Sequence, residues 1–78
     1  MTITPEQLKA ARGALGITSS ELGKLAKRSI PTVLRAESGR PVQEATMTIL
    51  QTTLEGLGVV FDDQGGVKIT TGVDRQEK

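Results

Sequence analysis

Between Thr18 and Arg40 the chain gathers hydroxyls and cations and little else that is reactive: Thr18, Ser19, Ser29 and Thr32 alternate with Lys27, Arg28, Arg35 and Arg40. Hydroxyls and backbone amides at helix starts favour anions, and guanidinium groups pair with phosphate or with the acceptor edge of guanine. The chemistry on offer is recognition by hydrogen bond and charge. Bond-making chemistry lacks its parts. There is no His and no Cys among the 78 residues, which removes the usual neutral-pH base, the thiolate nucleophile, the commonest metal ligands and any disulfide framework. The Ser, Thr, Asp and Glu that remain have no base placed to activate them, and the capping serines already have structural work. A non-enzyme with no cofactor and no metal is expected.

These groups need short helices to hold them. Thr18-Ser19-Ser20-Glu21 is a capping box, followed by Leu22, Leu25 and Ala26 as the apolar face of a two-turn helix ending near Lys27 or Arg28. Ser29-Ile30-Pro31-Thr32 repeats the signal, with Ser29 as cap and Pro31 in the first turn of a helix that runs through Val33, Ala36 and Glu37 to Gly39. Gly23 lies inside the first of the two helices, where it costs about 1 kcal/mol relative to Ala, so a close backbone approach is expected there. Two brief helices crossing at small residues follow helix-turn-helix logic.

The same residues resemble the lambda-repressor-like (Xre-type) helix-turn-helix family. The resemblance runs from Pro5 to about Ile69 and is carried by Leu15-Gly16-Ile17-Thr18, Glu21-Leu22, Leu25-Ala26, Ser29-Ile30-Pro31-Thr32-Val33 and Arg35-Ala36-Glu37-Ser38-Gly39. It implies that the helix opening at Ser29 enters the major groove of double-stranded DNA, that the helix opening at Thr18 crosses the phosphate backbone, and that two copies read a near-palindromic site as a homodimer. By the same resemblance Ile30, Pro31 and Arg35 match base-facing positions, with Leu34 on the same outward side. Backbone contacts fall to Thr18, Ser19, Lys27, Arg28, Ser29, Thr32 and Arg40. Arg12 and Glu37 stand where the family pairs an Arg of its first helix with a Glu closing the recognition helix; alternatively they are unrelated surface charges. Three positions depart from the pattern. Lys27 replaces the usual turn Gly, so it adopts a left-handed conformation at about 1–2 kcal/mol or the turn is built differently. Arg28 replaces an apolar residue. Ser19 replaces a common Gln and shortens the donor.

Around this unit, Thr4-Pro5-Glu6-Gln7 starts a first helix that buries Leu8, Ala11 and Leu15 and stops at Gly16. A fourth helix from about Gln43 to Leu57 puts Met47, Leu50, Leu54 and Leu57 on one face. Val59 to Asp62 and Val67 to Thr70 form two strands about a turn, with Val59, Phe61, Val67 and Ile69 available to one face. The expected fold is mainly α: a four-helix lambda-repressor-like domain with a C-terminal β-hairpin over 1–70, and a flexible polar tail over 71–78. A lone hairpin is marginal in water, so its apolar face is expected to join two subunits; alternatively Phe61 and Ile69 close the core of a monomer.

Charge divides along the chain. Up to Pro41 seven basic residues face three acidic ones, and from Val42 onward three basic face six acidic, within a net charge of +1. The basic half could meet phosphate while the acidic half stays away from it. With Phe61 as the single aromatic residue there is no platform for unstacked bases. No apolar run approaches the ~18 residues of a membrane span, and Met1 to Glu6 is no secretory leader, so a soluble cytoplasmic protein is expected. A transcriptional regulator, most often a repressor in this family, is the function implied. The alternative is a protein-interaction module on the same scaffold, such as the antitoxin of a toxin–antitoxin pair, in which a possible protein partner meets the apolar Ile30, Pro31 and Leu34 surface or the acidic half.

Overall fold

The computed structural model describes residues 2–70; the proposed tail over 71–78 lies outside the described residues. Four helices, α1 (Pro5–Leu15), α2 (Ser19–Ala26), α3 (Ile30–Glu37) and α4 (Glu44–Gly56), precede an antiparallel hairpin of β1 (Val59–Phe61) and β2 (Val67–Ile69). The helix starts are where the sequence puts its oxygen acceptors. Thr4 and Thr18 each close a full capping box, with Gln7 and Glu21, and the Ser29 side chain accepts from the Thr32 amide. Gln43 caps α4 without a side-chain hydrogen bond. α1 stops at Gly16 in the left-handed region, φ 72°.

Leu8, Ala11, Leu22, Ala26, Val33, Ala36, Leu50, Leu54 and Val59 share one core with Ile3. α3 packs on α2 and α1, and α4 packs on α1, α2 and β1. Leu25 is corrected: it is 53% exposed rather than core. At about 100° per residue, Leu22, Ala26 and Gly23 span one arc, and Leu25 falls roughly 100° from its centre. A two-turn helix has room for only that arc.

The hairpin pairs Val59 with Ile69, Val60 with Lys68 and Phe61 with Val67. Its loop is closed by Asp62, whose Oδ1 accepts the Gln64 and Gly66 amides at 2.9 and 2.7 Å. Val59 lies within the core, and Phe61, Val67 and Ile69 pack against it. The apolar face offered above to a second subunit is therefore occupied by the chain's own helices. A domain this small needs those side chains for its core. The seam is tied by Gln7, which is 3% exposed: its Oε1 accepts the Thr4 amide, while Nε2 donates to the carbonyls of Asp62 and Gly66 at 3.1 and 3.2 Å.

Candidate nucleic-acid interface

The turn joining α2 to α3 is built on Lys27 and Gly23. Lys27 takes φ 57°, and among the described residues it alone of the non-glycines has positive φ. The Arg28 amide donates to the Gly23 carbonyl at 2.8 Å. A Cβ built on Gly23 would sit 2.7 Å from the Arg28 carbonyl oxygen, so the close approach expected at Gly23 is made by the turn itself. The left-handed residue and the glycine together close the three-residue turn between Ala26 and Ile30, and α3 then packs on α2.

α3 buries Val33 and Ala36, which leaves its other side outward. Ile30 is 45% and Leu34 50% exposed, and Pro31 and Arg35 are exposed with them. Two open depressions flank this row and share Arg35. One, of about 660 Å³, is lined by Arg28, Thr32 and Arg35 on the α3 side and by Pro41, Val42, Gln43 and Thr46 on the other. The second, of about 630 Å³, brings Pro31, Leu34, Arg35 and Arg40 together with Lys9 and Arg12 of α1. Thr18 and Ser19 stand at the start of α2 and line neither.

Several hydroxyls already have partners. Thr18 Oγ1 accepts the Glu21 amide at 3.0 Å, and Ser29 Oγ lies 2.8 Å from Thr32 Oγ1. Arg28 donates to the Lys27 carbonyl at 2.9 Å. Among the described residues the one ion pair is Arg12 with Glu37, so Lys27, Arg28, Arg35 and Arg40 carry their charge without a carboxylate partner.

Arg12 holds α3 in place. Its Nε and Nη2 donate to the two Glu37 carboxylate oxygens at 2.6 and 3.1 Å, and Nη1 donates to the Ile17 carbonyl at 3.0 Å. One guanidinium thus fastens α1 to the end of α3 and to the linker before α2. The hydrogen bond it donates to Glu37 raises Arg12 above the ordinary arginine value, against partial desolvation and with the carboxylate's attraction adding to it. A raised arginine contributes its full stabilisation below its unfolded value and loses it only in strong alkali, so this tie persists across neutral pH.

Lys9 and Thr46 were not singled out by the sequence reading. Lys9 sits three residues before Arg12 on the same helix, a spacing that could have found it; Thr46 gives no such signal, because its place beside Arg28 depends on how α4 packs. No protein-family model matches the chain, and a search of curated proteins returns no match.

Proposed function

We propose that the chain is a sequence-specific double-stranded DNA-binding transcriptional regulator of the lambda-repressor-like (Xre-type) kind, a repressor acting in the cytoplasm as a homodimer on a near-palindromic site. The observation that carries this reading is the outward row Ile30, Pro31, Leu34 and Arg35 on a helix held by two neighbours and bordered by cations without carboxylate partners. A helix presented in this way fits the major groove. Arg35 is the one member of the row with side-chain donors, suited to the two acceptors of a guanine, while Ile30 and Leu34 suit thymine methyls. Lys27, Arg28 and Arg40 suit phosphates, with Thr18, Ser19, Ser29 and Thr32 contributing through hydroxyls or helix-start amides.

Selecting bound duplexes from a random pool tests this directly: a palindrome with fixed half-site spacing is expected, and an unenriched pool overturns the reading. Arg35→Ala is expected to relax preference at one base pair per half-site, worth about 1–3 kcal/mol of discrimination. Arg40→Ala should weaken all sequences alike; identical profiles for the two variants overturn that division of roles.

The exposure of Leu25, Ile30 and Leu34 favours a second reading, a protein-interaction module such as an antitoxin. Salt separates the two. Duplex binding gives log affinity falling linearly with log salt, whereas a flat dependence points to the protein partner.

A further inference from the structure

The depression between α3 and α4 holds one polar side chain that no other part of the fold employs. Gln43 takes extended backbone, φ −66° and ψ 144°, as the cap of α4, and its carbonyl accepts the Thr46 and Met47 amides at 2.9 and 3.4 Å. Its carboxamide does not cap. Thr4, Thr18 and Ser29 each turn a side-chain oxygen onto the first turn of their helix, whereas no such bond forms at Gln43, whose side chain is longer than those of the good caps. The carboxamide pairs with no other described residue either. Gln43 is exposed, and it lines the depression together with Arg28, Thr32 and Arg35. An amide with one free acceptor and two free donors therefore shares a depression with the guanidinium of the outward row.

The chemistry of an amide selects its partner. A phosphate offers acceptors only, so it would serve Nε2 and leave Oε1 without a donor. The carboxylate of Glu44, exposed on the next residue, would also meet a phosphate there as a like charge. A base edge carries no net charge. Adenine presents in the major groove an acceptor, N7, beside a donor, the N6 amino group, and a carboxamide matches both at once.

We infer that Gln43 is a second base-reading residue: Nε2 donates to adenine N7 and Oε1 accepts from N6, beside the guanine taken by Arg35. The inference rests on the DNA reading given above and deepens it, because the row on α3 has one side chain with donors and specifies little by hydrogen bond alone. Readout then extends from α3 to the start of α4.

Selection from a random duplex pool, run in parallel on the full chain and on its variants, is the test. The parent is expected to return an adenine beside each guanine assigned to Arg35. Gln43→Ala should erase that preference, about tenfold for one bidentate pair, while keeping the guanine and the salt slope. Gln43→Glu, which only accepts, should move the preference at the same position to cytosine, whose N4 amino group donates. Arg35→Ala should do the converse, losing the guanine and keeping the adenine. Because the Gln43 side chain is exposed and unbonded, Gln43→Ala should unfold at the parent's denaturant midpoint. A Gln43→Ala variant that weakens all sequences alike makes Gln43 a backbone contact and overturns the assignment, as does one whose selected sequences match the parent's. Either result arrives with an enriched parent pool, so the DNA reading survives it. An unenriched parent pool removes the DNA reading and this assignment together.

Discussion

Lys27 holds its backbone at φ 57° with a full side chain, in a place that glycine fills without strain. Lys27→Gly removes roughly 1–2 kcal/mol of left-handed strain and returns part of it through a more flexible unfolded chain. A net gain of about 1 kcal/mol is expected, seen as a rise of about 4–8 °C in Tm for a domain of this size. If Lys27 also meets a phosphate, the same variant binds duplex more weakly, with a salt slope smaller by about one. A stabilised protein with unchanged duplex affinity would show that Lys27 shapes the turn and nothing else. Gly23→Ala acts in the opposite direction. Alanine gains about 1 kcal/mol of helix propensity, but its Cβ meets the Arg28 carbonyl at 2.7 Å, and backbone cannot yield as a side-chain tip does. The overpacking exceeds the gain, and a net loss of about 1–2 kcal/mol in denaturant unfolding is expected. Of these two residues, Gly23 announced itself in the sequence as a glycine inside a helix. Lys27 could be suspected only through the resemblance, because nothing in a lysine signals positive φ.

At the scale of elements, two ties between distant segments decide where α3 and the hairpin sit. Glu37 has its side chain 6% exposed and Arg12 21%, so the bidentate pair is largely withdrawn from water without being sealed. Breaking a fully buried pair costs about 3–5 kcal/mol; partial exposure of Arg12 lowers the expectation for Glu37→Gln to roughly 2–3 kcal/mol. Because the lost tie positions α3, duplex affinity should fall by more than the small folded fraction lost at 25 °C accounts for. Gln7→Met keeps the length of the side chain but takes one of two donors from each of the Asp62 and Gly66 carbonyls and leaves the Thr4 amide without its acceptor. A loss of about 1–3 kcal/mol is expected, with faster hydrogen exchange across residues 59–69 while α2 and α3 stay protected. Uniform acceleration through the chain would show that Gln7 supports the whole core instead. The elements themselves were legible because their ends are written locally: Thr4, Thr18 and Ser29 are caps, and Gly16 is a stop. Gln7 was legible only as the residue that closes a capping box, three after Thr4. Its second use depends on a hairpin more than fifty residues away, which no local pattern records. Leu25 went astray for a related reason, since spacing names a stripe and only packing chooses its centre.

Over the whole molecule, the hairpin raises the question of how two copies would meet. Its inward face belongs to the core, with Val59 2% exposed and Phe61, Val67 and Ile69 packed beside it. What a second copy can reach is the outward face, where Val60 is 47% exposed opposite an exposed Lys68, together with the unpaired edges of a two-stranded sheet. Val60→Asp therefore places a charge on that outward face while touching nothing in the core. Its stability is expected to stay within about 0.5 kcal/mol of the parent, as for surface changes generally. Phe61→Ala removes a ring from the core side and should cost about 2–4 kcal/mol whether or not a second copy binds. If pairing through the hairpin sets the separation of two α3 helices, sedimentation at tens of micromolar finds the parent at twice 8.3 kDa and Val60→Asp at 8.3 kDa. Binding of the variant to a palindrome should then fall to that of a single half-site, with its salt slope halved. A parent that sediments as one 8.3 kDa species removes the homodimer, and a Val60→Asp variant that still dimerises moves the two-fold contact away from the hairpin.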